Sequence, residues 1–359
     1  MYFCKSFFSL NIKDFMKIIV AIDSLKGCLT SAEANKAAAE GISSRMPDAE
    51  VVQLAVSDGG EGWLEAFHRV LGGSITEVKV KDPLMRDTMA QYLMKGDTAV
   101  IEMAQASGLA LLRKEERNPM VATSYGTGQL VADAVKKGAR HIIVGLGGSG
   151  TSDCGKGMLE AIRNSQCIIN NDVRFTIAAD VNNPLCGERG AAQVFGPQKG
   201  ATTEMVEKLD SQAKEFARVS AKQMGYDRQD LPGAGAAGGL GYAFMQYMNA
   251  EYCSGAELLL ETAGFDQMLR GTSMVITGEG KADRQTLMGK LPQIILQHAG
   301  RMGVPVMLIA GKVEDRQQLL DAGFVRVECI NPPTLSADEA MKPETARKKL
   351  RRFFLAVSC

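Results

Sequence analysis

The chain reads as an α/β protein, a Rossmann-like doubly wound parallel sheet with a second α/β domain inserted into it. Three observations predict this class. Short β-branched runs recur, each followed by a glycine-bearing loop and then a helical stretch. The same alternation stands at both ends of the chain, separated by a region of different texture. The length of 359 residues exceeds one ordinary domain and suits two.

The first convincing strand is Lys17–Ile22 (KIIVAI), whose unbroken apolar composition suits a buried parallel strand. The fold is therefore expected to begin at Met16, with residues 1–15 a disordered leader. Lys5, Asn11, Lys13 and Asp14 interrupt that leader, and no A-x-A site follows, so a signal peptide is rejected. A helix is expected after Thr30-Ser31, because Glu33 three residues beyond Thr30 makes a capping box. A strand at Val51–Val56, a turn at Ser57–Gly60 and a helix at Glu61–Leu71 follow. Near the other end come a strand at Ser273–Thr277, a loop at Gly278–Gly289 and a helix at Pro292–Met302. A strand at Val304–Ala310, a helix at Arg316–Ala322 and a strand at Val325–Ile330 complete the series.

The economical arrangement joins residues 16–73 and 268–359 in one Rossmann-like sheet. Residues 74–267 then form the inserted domain, with strand-like pieces at Thr76–Val80, Thr98–Glu102, His141–Gly145 and Phe175–Ala179. There is no Pro/Ser linker, so the domains are expected to pack closely and to form a cleft.

Composition removes several function classes. The hydrophobic fraction of 45% and charged fraction of 23% are those of a protein with a sizeable core. Lys+Arg and Asp+Glu are both 41, which argues against nucleic acid as a partner. The basic run of Arg347, Lys348, Lys349, Arg351 and Arg352 reads as a solvated helix face. The eight cysteines form no C-x-x-C pair, and His68, His141 and His298 lie far apart, so no zinc site is supported. Such scattered cysteines suit a reducing cytoplasm. No run reaches the length of a membrane span, so no membrane partner is expected.

Glycine-rich loops are unusually frequent, and glycine lets backbone N–H groups approach an anion. Gly145–Asp153 follows a strand directly and adds the hydroxyls of Ser149, Thr151 and Ser152. Within it, Gly150 to Gly157 resembles a P-loop, but Gly157 stands where a magnesium-binding hydroxyl is needed, so that motif is rejected. A phosphate loop and a structural tight turn both remain open for this segment. Gly233–Gly241 contains G-x-G-x-x-G without a preceding strand, so close packing explains it as well as dinucleotide binding does. Thr277–Pro292 gathers carboxylates, lysines, an arginine and a threonine at the end of a strand.

Asp23–Gly27, Ser57–Gly62, Gly145–Asp153, Asp180–Gly187, Phe195–Ala201, Gly233–Gly241 and Thr277–Pro292 occur together and in this order. That series resembles the bacterial glycerate kinase family, from about Met16 to the last helix. The resemblance implies two α/β domains with the active site between them, ATP and Mg2+ as cofactors, D-glycerate as substrate and 2-phosphoglycerate as product. It also implies a role in organic-acid catabolism. Two departures stand out. Only Ile162 to Arg174 separates Ala161 from the next strand, shorter than in family members, and Thr151–Gly155 replaces a common T-N-D-G-G.

The site residues follow from that resemblance together with their chemistry. Asp180 and Asp283 are the candidate Mg2+ ligands, and Asp58 the group that orients or deprotonates the attacking hydroxyl. Lys26 and Lys290 are the candidate cations for the transferring phosphoryl group. Asp23, Ser24, Asn182, Asn183, Lys199 and Gln285 are expected to bind substrate. Gly147, Gly148, Ser149, Thr151, Gly278, Glu279 and Thr286 are expected around ATP. Arg284 and Arg86 are auxiliary candidates. A glycerate-binding homologue without catalysis is the alternative reading, motivated by the shortened segment. A nicotinamide-dependent dehydrogenase rests on Gly233–Gly238 alone. The oligomeric state stays open, a homodimer among the options.

Overall fold

The computed structural model describes residues 16–25, 27–332 and 334–356. The leader over residues 1–15 and the candidate cation Lys26 lie outside the described residues. The chain divides into two compact units, one combining residues up to Ser57 with those from Leu259 onward, the other running from Asp58 to Leu258.

Along the chain, the first unit opens with β1 (Lys17–Ile22), α1 (Ser31–Arg45) and β2 (Glu50–Gln53). The second unit follows with α2 (Trp63–Leu71), β3 (Ser74–Lys81), β4 (Asp87–Lys95), β5 (Thr98–Glu102), α3 (Ala104–Ser107) and α4 (Tyr125–Lys136). It continues through β6 (His141–Gly145), α5 (Lys156–Asn164), β7 (Arg174–Ala178), α6 (Ala191–Phe195), α7 (Thr203–Met224), α8 (Ala236–Met248) and β8 (Glu251–Cys253). Helix α9 (Gly255–Thr262) leads back to the first unit, with α10 (Phe265–Met268), β9 (Met274–Ala282), α11 (Leu291–Arg301) and β10 (Val306–Val313). The chain then forms α12 (Arg316–Asp321), β11 (Arg326–Cys329), α13 (Ala337–Ala340) and α14 (Pro343–Ala356).

In the first unit five parallel strands are ordered β11-β10-β9-β1-β2. The chain enters at β1, steps outward to β2, and later builds the other side from β9. The capping box forms as the spacing predicts: Glu33 N donates to Thr30 Oγ1 at 3.2 Å and Thr30 N to Glu33 Oε2 at 3.0 Å. Two expectations need correction. The strand expected to reach Val56 ends at Gln53, and the loop expected from Gly278 is strand up to Ala282. Strand β9 is prolonged because its partner β10 continues the ladder through Lys312↔Lys281 and Val313↔Ala282, a tertiary cause no local pattern announces.

Helices α1 and α14 pack tightly at Gly41, where an added Cβ would lie 2.6 Å from Arg351 O and 3.0 Å from Phe354 Cβ. The basic run is a largely exposed face of α14, with Arg347 paired to Glu33 at 2.5 Å. Gly41→Ala is expected to destabilise the protein by about 1–3 kcal/mol through overpacking, although alanine is the better helix former. Urea unfolding of the two proteins measures the difference.

The second unit holds a six-stranded sheet, β3-β4-β5-β6-β7-β8, antiparallel from β3 to β5 and parallel from β5 to β8. Its core includes Tyr92, Leu130, Val144, Met158, Phe175, Leu240 and Phe244. The unit starts at Asp58 where the sequence suggested residue 74, because α2 packs on β4 and β5. Leu64 N donates to the buried Glu102 Oε2 at 3.0 Å, and Trp63 and Phe67 are fully buried against each other. Strands β4 and β8 were not anticipated from the sequence. β8 is three residues long and partly exposed, so it carries almost no periodic signal.

Candidate functional site

In the first unit the strand order reverses direction between β1 and β9, the point where open α/β sheets bind ligands beyond the strand carboxyl ends. Asp23 and Ser24 stand there directly after β1, both buried. Asp23 N donates to Gly278 O at 2.9 Å and Ser24 N to Asp23 Oδ1 at 2.7 Å. On the adjacent β9, Glu279 is buried and accepts from Thr286 Oγ1 at 2.6 Å and Lys290 Nζ at 3.2 Å. Burial pushes the Glu279 carboxyl up, while Thr286 and Lys290 oppose the shift. Lys290 is the N-cap residue of α11 and stays partly exposed, so its ammonium is anchored without being enclosed.

Other expected residues of this unit are otherwise employed. Asp283 caps a 3-10 turn at Arg284–Leu287: Oδ1 accepts from Gln285 N at 2.8 Å, and Oδ2 pairs with Lys281 Nζ at 2.9 Å. The lysine holds its carboxyl below the usual range. Those commitments suit a structural cap better than an Mg2+ ligand. Gln285 and Arg284 are exposed, and Arg284 N bonds Asp315 Oδ2.

In the second unit the carboxyl ends of β6 and β7 gather a second set. The turn Asp58-Gly59-Gly60 sits against both strands. Gly147 N donates to Gly59 O at 2.8 Å, and an added Cβ on Gly59 would lie 2.8 Å from Ala178 O. A Cβ on Gly147 would overlap Gly60, so glycine is required for this approach. Asp58 Oδ1 accepts from Gly60 N at 3.2 Å. Asp180, two residues beyond β7, accepts at Oδ1 from Ser254 Oγ at 3.0 Å and Gly255 N at 3.2 Å, at the start of α9. Gly255 also abuts the Asp58 backbone, so the Asp58 turn, Asp180 and the 147–149 loop form one contiguous group. The Tyr252 hydroxyl lies 2.8 Å from Ala179 O and 2.9 Å from Val181 O and shares its single proton between them, fixing the segment that carries Asp180.

The loop from Gly147 to Thr151 is held from beneath by Lys199, which is only 2% exposed. Its Nζ donates to Ser149 Oγ at 2.7 Å and to Thr151 O at 2.6 Å. The ammonium is turned into the protein, so the substrate-binding role expected for Lys199 gives way to one inside the loop. Thr151 is fully buried, and its Oγ1 finds no hydrogen-bond partner among the described residues. Burial pushes Lys199 down to about 7, partly offset by Asp153. Between that value and the ordinary lysine value of 10.5, the unfolded chain binds more protons than the folded one, so stability rises with pH. Urea midpoints at about pH 7 and about pH 9 should show this rise in the wild type and lose most of it in Lys199→Met.

The helix start after the loop is already occupied. Asp153 accepts from Ser124 N and Oγ, and from Gly155 N and Gly157 N. Lys156, the residue at the P-loop lysine position, is exposed and lies 5.0 Å over the Phe216 ring. Both facts agree with rejecting a P-loop. The glycines at 233–241 serve packing: Gly238 and Gly239 adopt left-handed φ, Gly238 O accepts from Cys154 N, and Gly238 lies against Thr151.

Asn182 is exposed, while Asn183 Nδ2 is committed to Arg189 O at 2.8 Å. Arg86 is removed from the site by its own network, bonding Asp82, Glu116 and Leu111 O. Ser254 and Asp153 were overlooked as supports. The Ser-Gly pair opening α9 was the available signal for Ser254, as a helix-start residue. Among the described residues no group of three or more His, Cys, Asp or Glu could hold a metal ion, and no helix is long and apolar enough to cross a membrane.

Comparison with known proteins gives a consistent result. The family model described as the glycerate kinase family matches residues 18–167 and 162–357. The two stretches overlap over residues 162–167, at the end of α5 and the start of its connection to β7. The chain is 38% identical over 354 residues to the glycerate kinase of Halalkalibacterium halodurans, covering 90% of this chain and 93% of that one. It is 39% identical over 342 residues to the glycerate 2-kinase of Escherichia coli K12, covering 86% and 90%. A crystal structure assigned as glycerate kinase 2 from Salmonella typhimurium LT2 superposes with a TM-score of 0.79 at 35% identity, covering 96% of this chain and 97% of that one.

Proposed function

The chain belongs to the glycerate kinase family, and from that premise we propose that it transfers the γ-phosphoryl group of ATP to the 2-hydroxyl of D-glycerate. The carrying observation is the contiguous group of Asp58, Asp180 and the Gly147–Thr151 loop at the ends of β6 and β7. The choice of the 2-hydroxyl draws on the name of the Escherichia coli relative, a glycerate 2-kinase.

In this reading the glycerate O2 attacks the γ-phosphorus, the bond from that phosphorus to the β–γ bridging oxygen breaks, and ADP leaves with its electron pair. The hydroxyl proton passes to Asp58, so atoms and charge balance. Phosphoryl transfer asks mainly for positioning and for positive charge around the moving group. Within the second unit the backbone N–H groups of Gly148 and Ser149 and the Ser149 hydroxyl supply donors; within the first, Lys290 is a candidate cation.

A bound Mg2+ would neutralise phosphate oxygens and needs one or two protein carboxylates, phosphates and water completing its shell. Asp180 fits that demand as a single partly buried carboxylate oriented by Ser254 and Gly255 N. Asp283, engaged by Lys281, does not. Glu279 and Thr286 steady Lys290, and Asp23 and Ser24 remain candidates for the substrate's polar groups.

Turnover, rather than binding alone, is favoured by where the chain is short. The connection from Asn164 to Arg174 enters β7 at its amino end, whereas Asp180 and Gly147 lie beyond the carboxyl ends. A five-residue strand spans about 16 Å, so the shortening is remote from these groups. We assign the activity to the cytoplasm, in keeping with the scattered cysteines. Glycerate-dependent ADP release, with the product coupled to enolase, tests the proposal. Enolase turns over 2-phosphoglycerate and not the 3-phosphate, so ADP without enolase signal would reverse the acceptor, and no ADP would remove the kinase reading.

A further inference from the structure

We infer that Lys199 is a positioning residue that primes Ser149 for phosphate: its Nζ donates to the Ser149 hydroxyl oxygen and the Thr151 carbonyl, leaving the Ser149 proton to point at a phosphoryl oxygen. This inference rests on the phosphate-binding reading of the Gly147–Thr151 loop.

A lysine is almost never fully buried without a paired carboxylate, and Lys199 is 2% exposed with a hydroxyl and a carbonyl as its hydrogen-bond partners. Such burial is costly for a protein that needed only to fill space, since a methionine would do so without desolvating a charge. An anion seated on the loop supplies the missing countercharge. Ser149 has one hydrogen to give. With its oxygen already accepting from the Lys199 nitrogen, that hydrogen becomes a stronger donor, charge-assisted once the bound anion has protonated the lysine. A second bond from the same nitrogen pins Thr151 O, so the middle and the far end of the loop are fixed before the ligand arrives, as electrostatic preorganisation requires.

The charged group that acts on Lys199 is Asp153 on the loop, and the backbone of Arg117 packs against the adjoining Gly200. Asp153 favours the protonated lysine, and burial, the larger influence, disfavours it. An anion on the loop favours protonation further, so its binding should draw a proton from solvent.

Calorimetry of ATP binding to the full chain, at about pH 8 in two buffers of different ionisation heat, reads this directly. Phosphate groups with a second pKa near 6 are then ionised. The wild type is expected to take up protons on binding ATP. Lys199→Met is expected to abolish the uptake and weaken ATP binding by about tenfold or more, leaving the KM for glycerate unchanged. Ser149→Ala should weaken ATP binding similarly, and the double variant should add little. No uptake by the wild type, or uptake retained in Lys199→Met, overturns the inference. Unimpaired ATP binding by Ser149→Ala instead removes the loop from the phosphate site. If Lys199→Met fails to fold, the wild-type proton uptake still decides.

Discussion

Asp180→Asn is expected to lower kcat by about 10³-fold, roughly 4 kcal/mol of transition-state stabilisation, with little change in melting temperature. Asparagine preserves the shape and keeps an oxygen that can accept from Ser254 Oγ and Gly255 N, the two bonds that tie this side chain to the start of α9. What it removes is the negative charge that would hold Mg2+ beside the phosphates. Fold and chemistry are therefore separable at this position. Steady-state kinetics over a range of magnesium concentrations, beside a melting curve, measures both. A recovery of rate at high magnesium would mark the loss as one of metal affinity, whereas turnover equal to wild type would take Asp180 out of the site.

Asp58→Asn should cost about 10²- to 10⁴-fold in kcat, the usual range for a lost general base. The Asp58 turn is packed between Gly147, Ala178 and Gly255, and Asp58 Oδ1 accepts from Gly60 N, a bond that asparagine can retain. The KM for ATP should stay near wild type because the loop donors are untouched. A variant that instead loses ATP affinity while keeping kcat would show that Asp58 shapes the loop and takes no proton.

Much of this architecture was legible because its causes are local. The Thr30–Glu33 capping box depends on residues three apart, and the apolar runs of β1, β6 and β9 declare burial by their own composition. The glycine loop after β6 is visible as spacing. Residues whose role depends on distant neighbours were read less well. Asp283 looks like a free carboxylate in a polar loop, yet Lys281 and the backbone of Gln285 engage it. Arg86 looks like a spare cation and is held by Asp82, Glu116 and Leu111. Three-residue β8 exists because β7 offers an edge to pair with.

By itself, then, the sequence determined the fold class, most of the strands and helices, where the chain turns on glycine, and the family, since these rest on near-neighbour sterics and motif order. The tertiary structure alone decided which charges are buried and which are engaged. Lys199 and Ser149 stand 50 positions apart, Asp180 and Gly255 75 apart, and desolvation and hydrogen bonding act through space, where chain spacing carries no information.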